Sequence, residues 1–306
     1  MKFGMNLLLW TTDPTEERWL PLYARLKKMG FDGIELPVFN LDVARWQRLG
    51  RQLDDLGLER TAVTVRSTAD DPISPDAKIR AAAVEAHRKV LACCQAGGMR
   101  ILAGPYYAAL GSFSGTGPTS DEWKRSVAVM RATAELAAPA GVTLVPEFLN
   151  RFEIYLLNCV ADTVRYVQDV GHPSCRMMYD TFHAHIEEKD SAAAIRAGAK
   201  HIAHVHISEN DRSTPGSGQV AWDATFDALK AIKYDGWLTI EAFGLALPEL
   251  TAATKIWRRM YQDEEQLARD GLKFMKAAWA KRAGAAKPAA TKAAAAKKPI
   301  AKAGKR

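Results

Sequence analysis

The chain has 306 residues, 48% hydrophobic and 25% charged, which is ordinary globular composition. Its formal net charge of +7 comes from one end: residues 281–306 hold nine Lys/Arg and no acid, and without them 33 basic residues face 35 acidic ones. A folded body so close to neutral does not suit phosphate-backbone binding, and no apolar run approaches the roughly 20 residues of a membrane-spanning helix.

In chain order, the opening MKFGMNLLLWTTDPTEE carries one Lys and a short apolar run that leads into acids. It reads as a first strand rather than a leader peptide. From there a short apolar run followed by a longer helical stretch recurs to about residue 280. The expected strands are 3–10, 33–38, 60–65, 100–105, 142–148, 176–180, 202–208 and 237–243. Stretches such as TEERWLPLYARLKKMG and SPDAKIRAAAVEAHRKVLACCQAGG lie between them and end in Gly, a common helix terminator. Strand alternating with helix implies parallel strands joined by right-handed crossovers. Eight such units close a single (β/α)8 TIM barrel, for which about 250 residues is typical. No GxGxxG follows the first strand, which argues against a dinucleotide-binding sheet.

The last stretch, KRAGAAKPAATKAAAAKKPIAKAGKR, cannot bury a core and is expected to be a disordered Ala/Lys/Pro-rich tail outside the 1–280 catalytic domain. The charge of this tail would suit nucleic acid, but an incidental extension is the simpler reading. The four cysteines, Cys93, Cys94, Cys159 and Cys175, have no CxxC spacing and read as reduced thiols of a cytoplasmic protein.

Alternate residues of a strand share a face. In IAHVHIS that puts Ile202, His204, His206 and Ser208 on one side and Ala203, Val205 and Ile207 on the other. In WLTIEAF, Leu238, Ile240 and Ala242 suit helix packing while Thr239 and Glu241 point inward. Glu147 shares a face with Thr143 and Val145, and Asp180 with Met178. Each of the last four strands thus ends in one inward-facing ligand type: Glu147, Asp180, His206 and Glu241. Strand C-termini gather at one mouth of a barrel, where active sites sit. Three carboxylates and an imidazole converging there call for a divalent cation, and hard oxygen donors plus one nitrogen favour Mn2+, Co2+ or Mg2+.

The stretches EFLNRFEIYLLN (147–158), DTFHAHIEEKD (180–190), HVHISENDRSTPGSG (204–218) and GWLTIEAF (236–243) resemble the sugar phosphate isomerase/epimerase family with a xylose isomerase-like TIM barrel. The resemblance is strongest to its D-tagatose/D-psicose 3-epimerase branch. It implies that Glu147, Asp180, His206 and Glu241 bind the metal, Mn2+ first, and that Glu147 and Glu241 are also the acid/base pair. It further implies that Glu153, His183 and Arg212 hold the oxygens at the C1–C3 end of a free ketose, that no organic cofactor is needed, and that the protein is a homodimer or homotetramer. The activity implied is epimerisation at C3 through an enediolate. Hydroxypyruvate isomerase and inosose isomerase or dehydratase share the metal constellation and are the alternatives. The chain departs from the family pattern at Phe148, where Pro is common, at His185, where Asn is common, and in the loop GPYYAALGSFSGTGPTS (104–120). These differences bear on sugar choice. Glu35 is expected to face inward as a supporting acid, His204 to be an interior histidine, and STPGSG (213–218) to be a mobile loop at the mouth. Trp10, Tyr106 and Tyr107 read as core aromatics, and His185 has no assigned part.

Overall fold

A computed structural model describes residues 1–282. Its eight strands are β1 (Lys2–Asn6), β2 (Gly33–Pro37), β3 (Glu59–Val63), β4 (Ile101–Gly104), β5 (Thr143–Pro146), β6 (Met177–Asp180), β7 (Ile202–Ile207) and β8 (Trp237–Ile240). The helices among the described residues are α1 (Leu20–Met29), α2 (Val43–Asp55), α3 (Ala77–Gly97), α4 (Ser120–Ala140), α5 (Val160–Val170), α6 (Thr181–Glu187), α7 (Ser191–Gly198), α8 (Trp222–Ala231), α9 (Pro248–Thr254) and α10 (Glu264–Ala280). No helix among the described residues is long and apolar enough to cross a membrane.

The strands run in the order β5-β4-β3-β2-β1-β8-β7-β6, with every neighbouring pair parallel. The seam between β5 and β6 is spanned by the bridges Leu144–Cys175 and Glu147–Met178. Leu144 N–H donates to Ser174 O at 2.7 Å, and Arg176 N–H to Leu144 O at 2.8 Å. The expected TIM barrel is therefore formed.

The sequence signals for helix ends work locally. Asp42 caps α2, and a Thr119/Glu122 capping box opens α4. Gly98 and Gly141 end α3 and α4 at φ 74° and 68°, a left-handed conformation that costs glycine no Cβ clash.

The outward faces of the strands pack on the helices in one large core that includes Ile34, Leu36, Leu102, Leu144, Val205, Ile207, Leu238 and Ile240. Inside the barrel, Ala103, Val145 and Met178 form a separate small apolar cluster. The lumen also holds polar side chains: Asn6, Glu35, Thr61, His204, His206 and Thr239 are at most 2% exposed.

Three expectations need correction. The first strand stops at Asn6, and Leu7–Leu9 form a buried 3-10 turn whose Leu8 N–H bonds Asn6 Oδ1. An apolar run of that length does not separate strand from buried turn. In β7 the pairing with β6 slips: Met177 pairs with Ile202 and Met178 with His204, so Ala203 is an extra residue. A bulge breaks strict alternation, so Ile202 joins the outer core and Ala203 packs on the inner cluster. Arg282 belongs to the folded part, pairing with Asp223 and Asp227 of α8. The remainder of the expected 281–306 tail lies outside the described residues. Tyr106 and Tyr107 are fully buried core residues, as expected.

Candidate active site

Four donor atoms meet at the C-terminal end of β5–β8. His206 Nδ1 lies 3.3 Å from Glu241 Oε1, 3.6 Å from Asp180 Oδ2 and 4.0 Å from Glu147 Oε1. The four residues are at most 5% exposed, and one ligand atom from each falls within 4.8 Å of the others. The sequence expectation that these side chains share one point is met by the geometry.

Three of the four residues also have a second contact that aims the free atom. Asp180 ends β6 and caps α6: its Oδ1 accepts from Phe182 N–H at 2.6 Å and His183 N–H at 2.9 Å, leaving Oδ2 free. His206 places Nε2 2.6 Å from Glu35 Oε1, which turns Nδ1 to the centre. Glu241 accepts from Arg212 Nη1 through Oε2 at 2.5 Å, leaving Oε1. Among the described residues, Glu147 Oε1, Asp180 Oδ2 and His206 Nδ1 have no hydrogen-bond partner. Buried polar atoms without partners are costly, and here the unpartnered atoms converge. Three carboxylate oxygens and one imidazole nitrogen fit a divalent cation.

Electrostatics agree with that fit. Burial pushes Glu147 well above the usual carboxylate range, and the charges of Glu241 and Asp180 add to this against His206. Burial alone would lower His206, but Glu35 and Glu241 raise it well above the ordinary histidine value. Without a cation the cluster thus favours its protonated forms, with which a metal would compete.

Glu35 supports the site from below. Sequence reading placed it inward, and the structure adds its partners. It accepts from Asn6 Nδ2 at 2.9 Å and Thr61 Oγ1 at 2.8 Å, side chains in register on the two neighbouring strands. His204 Nε2 lies 2.8 Å from its other oxygen, close but not aligned as a hydrogen bond. Burial would raise Glu35, yet the neighbouring His206 and His204 hold it well below the usual range. A carboxylate behind a ligand histidine fixes ring orientation and tautomer. His204 is the interior histidine expected.

Beside the cluster lie the other three expected residues. Arg212 Nη2 is 3.3 Å from Glu153 Oε1 and 3.2 Å from His183 Nε2. The guanidinium carbon sits 3.9 Å from the Phe182 ring centre and 4.9 Å from that of Phe243. Arg212 takes φ 64°, uncommon for a non-glycine residue. Burial alone would lower Arg212, but Glu153, Glu241, Asp180 and Glu147 raise it. His183 Nδ1 accepts from the Asn150 backbone N–H at 2.9 Å, so a neutral ring carries its proton on Nε2. Burial, with Arg212 adding to it, holds His183 well below its ordinary value. The Arg212–His183 contact is therefore two donors side by side, both available to one acceptor oxygen.

Sequence reading missed Asn150. Its side chain bonds Glu153 Oε1 at 2.7 Å, while its backbone orients His183. His185 is exposed on α6. The loop STPGSG is tied rather than free: Gly216 N–H and the Val220 N–H just beyond the loop both donate to Glu209. Leu8, Val63, Phe243 and Ile256 form a second apolar cluster from the strand ends and the segment after α9.

The chain belongs to the xylose isomerase-like TIM barrel family, whose profile matches residues 23–278. Within that family it is 34% identical over 277 residues to an L-ribulose 3-epimerase of Mesorhizobium japonicum, covering 90% of this chain and 93% of the relative. It is 31% identical over 281 residues to a "Probable ketose 3-epimerase" of Synechocystis sp., covering 91% and 97%. The crystal structure of a D-allulose 3-epimerase from Methylomonas sp. in complex with D-allulose superposes with a TM-score of 0.85 at 30% identity, covering 90% of this chain and 96% of that one.

Proposed function

We propose that the protein is a ketose 3-epimerase, an isomerase that inverts C3 of a free ketose. The observation that carries this reading is the placement of Glu153, His183 and Arg212 directly beside the converging Glu147, Asp180, His206 and Glu241, a set that the isomerases sharing only the four ligands do not call for. In our reading these four residues hold a divalent cation, Mn2+ by donor type. When bound, the cation supplies Lewis-acid polarisation of the ketone and charge stabilisation of the enediolate. Glu147 and Glu241, from β5 and β8, act on the two faces of C3: one removes the proton and the other returns one to the opposite side, exchanging roles with direction. His183 Nε2–H and Arg212 donate to sugar oxygens, and Glu153 accepts from a hydroxyl.

The test is incubation of the Mn2+-loaded protein with a panel of ketopentoses and ketohexoses in D2O, with products resolved by chromatography. The expected result is a partial, reversible conversion of at least one sugar to its C3 epimer, with deuterium at C3. A panel with no C3 epimer from any sugar would reject the assignment.

Metal loading should also be proton-coupled. Because Glu147 and His206 are both raised, the metal-free site holds its protons more tightly than such side chains ordinarily do, and the cation competes with them. Mn2+ affinity is expected to rise with pH. Calorimetric titrations in buffers of different ionisation heat should give different apparent enthalpies. Buffer-independent heats would contradict proton release.

A further inference from the structure

We propose that Glu209 is a positioning residue for Arg212, locking the loop from which Arg212 reaches the sugar. This rests on the reading of Arg212 as a sugar-binding group. Glu209 lies two residues beyond β7, is fully buried, and stands outside the cation cluster.

Its carboxylate gathers donors from separate parts of residues 209–222. Oε1 accepts from Asn210 N–H and Val220 N–H, both at 3.1 Å. Oε2 accepts from Gly216 N–H at 2.8 Å and Trp222 Nε1–H at 3.0 Å. The backbone closes the same knot: Arg212 N–H donates to Glu209 O at 2.9 Å, and Gln219 N–H donates to Asn210 Oδ1 at 2.7 Å. The chain passes directly over the carboxylate, since a Cβ on Gly218 would lie 2.7 Å from Glu209 Cδ. These donors hold Glu209 below the usual glutamate value despite its burial.

The turn secured in this way is the one that ends at Arg212. Its carbonyl accepts from Phe243 N–H at 3.0 Å, and its guanidinium passes between Phe182 and Phe243 to Glu241 and Glu153. All four acceptor positions of Glu209 meet N–H donors. A glutamine there would turn its own NH2 towards two of them, and the loop would have to open. Arg212 would then leave the position it shares with His183.

The test is a double-mutant cycle read as kcat/KM on a converted ketose at saturating Mn2+. Glu209→Gln is expected to lower kcat/KM by roughly 10²-fold, the scale of an ångström-level misplacement of a binding group. Mn2+ affinity should change no more than it does in Arg212→Ala, because Glu209 touches the cation cluster only through the Arg212 bond to Glu241. In an Arg212→Ala background the same change should cost less than about twofold, because the group it positions is gone. Trp222→Phe keeps the ring against Phe226 and Phe274 and removes one donor. It should show a smaller loss that likewise disappears in the Arg212→Ala background, and it serves if Glu209→Gln does not fold. Equal losses in both backgrounds would overturn the proposal. If Arg212→Ala alone leaves kcat/KM unchanged, the sugar-binding reading of Arg212 fails first, and this inference goes with it.

Discussion

Glu147→Gln and Glu241→Gln should each lower the rate of C3 epimerisation by about 10³-fold, within the range that a positioned acid or base contributes. Both substitutions keep shape and remove basicity. The two carboxylates are not equivalent in the structure. Glu147 Oε1 has no hydrogen-bond partner among the described residues, and burial with Glu241 nearby raises its proton affinity. Glu241 instead has Arg212 at 2.5 Å. Each is also a candidate ligand, so rates should be compared at saturating Mn2+. Exchange of the C3 proton gives a finer readout. A variant with one working carboxylate should still exchange deuterium into the epimer whose C3–H faces it, without inverting that carbon. Epimerisation near the parent's rate in either variant would remove both residues from the chemistry.

Asp180→Asn should lower Mn2+ affinity by about 10²-fold or more, beyond the tenfold to hundredfold typical of residues one step removed from a metal, and activity at limiting metal should fall with it. The metal-free variant should melt no lower than the parent. Asparagine caps helices as well as aspartate does, so the bonds to Phe182 N–H and His183 N–H survive. The change also removes one of three clustered carboxylates. Asp180→Ala loses the cap as well, costing about 1 kcal/mol, and should melt lower than Asp180→Asn. Calorimetry and thermal melts of the two variants separate the cap from the ligand. Unchanged Mn2+ affinity in Asp180→Asn would show that Oδ2 does not reach the ion.

Much of this was legible in the sequence because it depends on local periodicity. Strand alternation put Glu147, Asp180, His206 and Glu241 on inward faces at strand ends, and barrel geometry then brought them together. The bulge at Ala203 was not legible, since it is a mismatch between two strands rather than a property of one. Nor were the contacts that orient the site. Glu35 meets His206 across 171 residues of chain, Arg212 meets Glu153 across 59, and Asn150 meets His183 across 33. Such partnerships depend on register and side-chain reach, which a single chain of letters does not encode by spacing. Glu209 stands inside the motif HVHISENDRSTPGSG, yet a buried carboxylate bonded to backbone N–H groups of its own loop and to Trp222 of α8 has no signature in composition.

The support of His206 by Asn6, Glu35 and Thr61 divides the barrel into unequal halves. Strands β5–β8 present the donor atoms, while β1–β3 brace them through side chains that end inside the lumen. None of these bracing side chains lies in the connections that follow β2 and β4. Those connections carry exposed Phe39, Leu41 and Phe113 at the mouth. Substituting these three exposed side chains therefore leaves the bonds of Asn6, Glu35 and Thr61 in place. The rim of the mouth can thus change its chemistry residue by residue while the bracing of His206 from below does not move.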